Sequence, residues 1–315
     1  MRRLAFAAVV LISAVACSEV SNVRMPLSEF PLDSLRGVVE TLSNVDPPRS
    51  GDNPASLERV AQFISERMTE AGLKPVFETF EVNGKKYHNV SALIGSGKRA
   101  RIVVGAHYDV FGPLPGADDN ASGVAALLNI GARLAKRELA KDVELVAYTL
   151  EEPPFFDTDS MGSARHAKAL AAAKVKVVAM LSLEMLGYYS DEANSQGYPD
   201  KELLKYFPST ANFLAILGRS EDAPLMNKIR GLMAVPDGLP IYALSGAPDQ
   251  LPSLNSSDHM SYWRHGVPAF MVTDTAYFRN PNYHKDTDKP STLDYGRLQQ
   301  AADAVYAAVL ALAEN

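Results

Sequence analysis

The sequence predicts an α/β fold of three layers, with a mixed, largely parallel central sheet between two layers of helices. Three observations carry that prediction. Several segments are apolar on successive residues, Arg101-Ile-Val-Val-Gly-Ala among them, as strands covered on both faces must be. Segments with apolar residues at three- and four-residue spacing lie between those runs. The two kinds of segment alternate along the chain, which is the order expected of a sheet wrapped by helices.

Two helical patterns come first, at about Leu32–Leu42 and Pro54–Ala71. In the second, Val60, Phe63, Ile64 and Met68 recur at helical spacing before Gly72. Short β-rich runs at Val76–Val82 and His88–Ile94 lead into the apolar run after Arg101, and further such runs are Val143–Leu150, Val177–Leu183, Phe213–Leu217 and Ala269–Val272. Helical patterns occupy about Ala121–Arg137, Ser163–Ala173, Ala223–Met233 and Leu293–Leu312. The Pro- and Gly-richer stretch 235–257 reads as one long loop, and loops of that length inside a compact domain tend to be functional. No internal repeat is present, so residues 27–315 read as a single domain.

The N-terminus has a different character. Arg2 and Arg3, the apolar run Leu4 to Ile12 and small residues before Cys17 read as an export signal over 1–16, followed by a tether over 17–26. Cys17 is the only cysteine, which excludes an intramolecular disulfide framework and a cysteine-based zinc site. Placed directly after Ala14-Val15-Ala16, it resembles the lipobox cysteine of bacterial lipoproteins, with Ala14 where leucine is usual; cleavage that releases a free protein is the alternative. The expected location is the bacterial cell envelope, as a periplasm-facing lipoprotein held to the membrane only through a lipid on Cys17, or otherwise secreted.

With 47% hydrophobic and 22% charged residues the chain of 315 residues has ordinary globular composition. Its formal charge of −6, from 37 acidic and 31 basic residues, comes without a basic stripe. Nucleic acid is therefore not an expected partner; a peptide substrate and a monomeric state are.

Ligands of open α/β sheets bind beyond the carboxyl ends of the strands, and in this sequence those ends are polar. His107-Tyr-Asp109 follows one apolar run, Glu151-Glu152 another and Glu184 a third, while the loop after Ala269–Val272 delivers Tyr283-His284. Imidazoles and carboxylates converging on one edge suit a divalent metal, and zinc accepts both. An acidic turn, Pro115-Gly-Ala-Asp118-Asp119-Asn120-Ala-Ser-Gly, runs into the Ala121–Arg137 helix. A helix start explains one of its acids, and a carboxylate shared between two metals would explain the other.

Together with Gly105-Ala-His107-Tyr-Asp109, Leu183-Glu184-Met and Ser257-Asp258-His259, these segments resemble metallopeptidase family twenty-eight, the di-zinc aminopeptidases of zinc-exopeptidase fold, in the family's order over roughly residues 86–292. The resemblance implies two zinc ions, other divalent metals being possible: His107 and Glu184 on one, Glu152 and His284 on the other, and Asp118 bridging. It implies Glu151 as general base, Tyr283 as donor to the oxyanion, and Asp109, Asp119 and Asp258 as carboxylates supporting the ligands. It also implies a cis peptide between Asp118 and Asp119. Two zinc ions, three carboxylates and one bridging hydroxide would sum to zero charge, so the nucleophile is inexpensive to form. The sequence departs from the family at Glu184, where many members have Asp, which puts occupancy of that metal in doubt.

The activity so implied is that of an exported aminopeptidase. A glutaminyl cyclase of the same fold, with one zinc, is an alternative; such enzymes place Trp where Tyr283 stands. Carboxypeptidase and dipeptidase action stay open, because the loops around Gly187–Pro208 and Pro236–Ser256 decide between them. A non-catalytic module would have lost ligands that are all present here. Tyr188, Tyr189, Phe207 and Phe278 are candidates for the wall of an apolar pocket, with core packing as their other reading.

Overall fold

In the computed structural model, which describes residues 32–249 and 251–314, the β-rich and apolar runs become eight strands. They are β1 (Pro75–Val82), β2 (Lys85–Ile94), β3 (Arg101–His107), β4 (Asp142–Tyr148), β5 (Val177–Glu184), β6 (Leu214–Arg219), β7 (Ile241–Gly246) and β8 (Ala269–Thr273). All eight form one sheet in the order β1-β2-β4-β3-β5-β8-β6-β7. The central four, β4-β3-β5-β8, run parallel; β1 and β2 are antiparallel additions at one edge, and β6 is antiparallel to β8. The expected export signal over 1–16, the expected tether over 17–26 and Cys17 lie outside the described residues.

Alternation along each central strand divides the core into two layers. Ile102, Val104, Leu145, Leu181 and Phe270 face one layer, built on helices α1 (Leu32–Ser43), α2 (Pro54–Glu70), α3 (Gly123–Leu134), α5 (Ala223–Met233) and α7 (Tyr295–Glu314). Val103, Val146, Met180 and Ala269 face the other, which packs against α4 (Gly162–Ala172) and the short α6 (His259–Trp263). The two-sided burial explains why these strands are apolar at consecutive positions.

One expectation fails here. The stretch 235–257 is not a continuous loop: Ile241–Gly246 forms β7, the edge strand, in parallel register with β6. All six of its residues are only partly buried, and Pro240 and Gly246 bound it closely. A half-covered strand that short lacks the consecutive apolar run that marks the buried ones.

The parallel strands bring His107, the residues after Tyr148, Glu184 and the residues after Thr273 to one sheet edge. There the acidic turn crosses from β3 to α3 over Ala117–Ser122, with non-helical backbone at Asp119 and Asn120. Gly116 opens it at φ +59°, and a Cβ at Gly123 would lie 2.6 Å from the Leu183 carbonyl oxygen. Both glycines let the turn lie directly against the ends of β5 and the loop it covers.

Candidate metal centre

Five side chains meet at this edge. Asp119 places Oδ1 3.3 Å from His107 Nε2 and Oδ2 3.1 Å from His284 Nε2. Glu184 Oε2 is 3.5 Å from His107 Nε2, and Glu152 Oε1 is 3.3 Å from His284 Nε2. Two groups result, His107–Asp119–Glu184 and Asp119–Glu152–His284, each compact enough to hold one cation and joined through Asp119. Glu151 Oε2 stands beside the first, 3.8 Å from His107 Nε2.

The expected bridging residue was Asp118, and the structure overturns that assignment in favour of its neighbour. The Asp118 carboxylate accepts hydrogen bonds from the Gly187 N–H (2.8 Å) and from Asn280 Nδ2 (2.7 Å). Its direction is set by those bonds, away from both histidines. The cis peptide also falls one residue later than expected, at Asp119-Asn120. Asp119, expected in a supporting role, is the carboxylate that touches both imidazoles.

Backbone anchoring explains why the turn holds this shape. Asp288 accepts the N–H groups of both Asp118 (2.9 Å) and Asp119 (3.1 Å). Asn120 donates to the Leu183 carbonyl and accepts from the N–H groups of Gly123 and Met185. Arg49, 1% exposed, donates to the carbonyls of Leu42, Tyr108, Pro115 and Gly116, tying the residues after β3 to the acidic turn. Neither Arg49 nor Asp288 was singled out from the sequence. The only local signal for Asp288 is an acid four residues after His284.

Asp109 receives the N–H groups of Glu151 and Glu152, each at 3.1 Å, and lies 3.5 Å from His107 Nδ1. One carboxylate thus orients an imidazole and two glutamates, leaving His107 Nε2 to face the cluster. Ser257 donates to Glu184 Oε2 at 2.7 Å. Asp258 is wholly buried, with both oxygens free of hydrogen bonds. The imidazole of His284 is stacked by two rings, Tyr283 at 3.9 Å and Phe111 at 4.3 Å between centroids. Since both are nearly parallel to it, they occupy opposite faces.

The electrostatics are those of crowded negative charge. Burial, then the charge of Asp119, raises Glu152 to about 7. Burial raises Glu151 well above the carboxylate range, with His107 opposing and Glu184 adding to the shift. Burial would likewise raise Asp119, but its close contacts with the His107 and His284 imidazoles hold it below its ordinary value. For His284, burial disfavours the charged form, yet the close Asp119 and Glu152 carboxylates lift it to about 10. Burial also keeps the Tyr283 phenol protonated, helped by the neighbouring carboxylates.

Both nitrogens of His107 and Glu152 Oε1 are buried without a hydrogen-bond partner. Buried polar atoms are costly unless satisfied, and a cation would satisfy these while relieving the repulsion among the acids. The oxygen and imidazole donors match zinc, so the residues fit the metal the sequence implied. A second acidic group, Glu78, Glu144 and His166, lies elsewhere. Arg101 Nη1, 2.7 Å from Glu144, already supplies positive charge there.

The model of Peptidase family M28 matches residues 89–229 and 240–309. An uncharacterized Escherichia coli protein, YfbL, is 38% identical over 282 residues, covering 87% of this chain and 86% of that one. A probable leucine aminopeptidase of Arthroderma otae is 24% identical over 81% of this chain and 66% of its own length. Among solved structures, a zinc aminopeptidase of Bacillus subtilis superposes with a TM-score of 0.72 at 14% identity, over 92% of this chain and 97% of that one. A glutaminyl cyclase of Fimbriiglobus ruber gives 0.65 at 16% identity, over 91% and 96%.

Proposed function

The chain belongs to peptidase family M28, and from that premise we propose that it is an aminopeptidase that works with two zinc ions. His107 and Glu184 would hold one ion, Glu152 and His284 the other, and Asp119 both. The observation that carries this reading is the Asp119 carboxylate, with one oxygen within 3.3 Å of each of two imidazole nitrogens. Zinc bound there would polarise the scissile carbonyl and acidify water.

The side chains perform the remaining work. Glu151, raised by burial, takes a proton from the attacking water as its oxygen adds to the carbonyl carbon. The same carboxyl returns that proton to the leaving nitrogen as the C–N bond breaks. Tyr283, kept protonated, donates to the carbonyl oxygen as negative charge gathers on it. Asp109 holds His107 and both glutamates in register throughout.

The envelope location rests on residues 1–17 alone; no helix among the described residues is long and apolar enough to cross a membrane. Incorporation of labelled fatty acid into the wild-type chain and its loss in Cys17→Ser tests lipidation; no label in the wild type would favour release instead.

The activity is tested by mass analysis of one peptide with a free and with an acetylated N-terminus, after digestion by the full chain loaded with two equivalents of zinc. Single residues should leave the N-terminus of the free form only. Trimming of both forms from the other end would replace this reading with a carboxypeptidase. Cyclisation of an N-terminal glutamine without hydrolysis would replace it with a cyclase.

A further inference from the structure

We infer that the side-chain pocket of this site selects aromatic N-terminal residues over leucine and alanine, and that Ala215 and Tyr242 set that choice. The inference rests on the aminopeptidase reading and extends it to the substrate's side chain. An open cavity lies beside Glu184 and Tyr283. Its floor is the sheet itself. Phe213, Ala215 and Leu217 alternate with Leu214 and Ile216; the first set lines the cavity and the second joins the core beneath α5 and α7. Met271 and Thr273 of β8 line it by the same alternation, and the consecutive residues Tyr242, Ala243 and Leu244 of β7 complete it.

Register makes the floor hollow. Ala215 pairs with Tyr242 on one side and Thr273 on the other, so the smallest side chain lies between larger ones. The edge strand β7 and the loop after β5 supply the walls. Phe213 and Tyr242 meet edge to face at 5.1 Å and 75°, and Phe207 meets Tyr242 at 6.0 Å and 74°. Of the earlier aromatic candidates, Phe207 and Phe278 line the cavity. Tyr189 is buried instead beside the Arg279 guanidinium.

Several polar groups of the wall are bonded within the fold, which leaves fewer of them for a polar side chain. The Gln196 amide bonds Thr275 and Gly197 and accepts from Arg279 Nε. Tyr198 donates to the Pro208 carbonyl, and Thr273 Oγ1 accepts the Thr275 N–H. Glu184 is the one charged residue in the lining, and it stands at the metal end. A cavity of this kind gains from each apolar group that fills it. A set of rings already arranged edge to face favours a further ring by geometry as well as by area.

The test measures kcat/KM for aminoacyl-coumarin amides of Ala, Leu, Phe and Trp, using the zinc-loaded full chain. Phe should exceed Ala by about 100-fold, within the range set by apolar side-chain discrimination, and exceed Leu by about 2- to 10-fold, the added value of an aromatic pair. Ala215→Phe, which fills the floor, should cut Phe turnover about 100-fold and bring the Phe-to-Ala ratio down to about one. Tyr242→Ala should abolish the advantage of Phe over Leu.

Leu equal to or above Phe in the wild type overturns the inference, as does an undiminished preference for Phe over Ala in a folded Ala215→Phe variant. If no amide is cleaved, the aminopeptidase reading fails. The cavity is then judged by calorimetric binding of phenylalaninol, leucinol and alaninol to the same protein, where equal affinities refute its selectivity. That binding series also decides the matter if Ala215→Phe does not fold.

Discussion

Replacing Asp119 by Asn should dismantle the metal centre, whereas the same change at Asp118 should spare it. Asp119 makes the two contacts that join the histidine groups, at 3.3 and 3.1 Å. From those positions one carboxylate can serve a cation beside each imidazole, and an amide offers a single neutral oxygen, so Asp119→Asn should lower zinc affinity by more than the roughly 10- to 100-fold that loss of a supporting partner costs. Asp118 spends its oxygens on Gly187 N–H and Asn280, and an asparagine there keeps an acceptor for the first. It also removes a buried charge whose protonation is favoured by burial and by Asp274. Calorimetric titration of the metal-free variants with zinc should give two tight sites in Asp118→Asn and at most one in Asp119→Asn. Two undiminished sites in Asp119→Asn, or loss of zinc from Asp118→Asn alone, would refute the reasoning and restore Asp118 as the bridge.

Four further outcomes are expected. Glu151→Gln should lower kcat by about 10²–10⁴ through loss of proton transfer, with two zinc ions still bound by titration; a near-normal kcat removes Glu151 from the reaction. Asp109→Asn should weaken zinc binding by about 10- to 100-fold, since an amide cannot accept both the Glu151 and Glu152 N–H groups as the carboxylate does; unchanged affinity in competition with a chelating dye would count against it. Arg49→Met should destabilise the fold by at least about 3 kcal/mol in urea melts, because it removes the side-chain donor from the buried carbonyls of Leu42, Tyr108 and Gly116 and from the part-buried one of Pro115. His259 is pushed down by burial from 6.5 to about 4, against the weaker upward pull of its bond to the Leu254 carbonyl. The folded state therefore resists protonation that the unfolded chain accepts, and this contribution, whole above pH 6.5, is lost as pH falls toward 4. It amounts to about 3 kcal/mol, so the stability gap between wild type and His259→Gln should shrink over that window, and a pH-independent gap would contradict the assignment.

How much of this was legible beforehand can be argued residue by residue. Strands buried on both faces were readable because Ile102, Val103 and Val104 are apolar in succession, one face filling each core layer. His107, Glu151, Glu152, Glu184 and His284 were readable as site candidates because each follows such a run or the loop beyond it, and the parallel order of β4, β3, β5 and β8 gathers those ends on one edge. Edge strand β7 was not readable, since its partial burial leaves no distinctive pattern.

The sequence by itself determined the layered α/β architecture, the family resemblance and the set of acids and imidazoles available at the sheet edge. These depend on local periodicity and on residue type, which are properties of short stretches of chain. Only the tertiary structure decided which of two adjacent aspartates reaches both histidines. That choice follows from the direction of the turn, and Asp288 and Asn280, more than 160 residues along the chain, set the direction by bonding its backbone and the Asp118 carboxylate. The cavity beside Glu184 has the same origin: Ala215 is an unremarked small residue in the sequence, and it becomes the hollow of a pocket because strand register sets Tyr242 and Thr273 on either side of it.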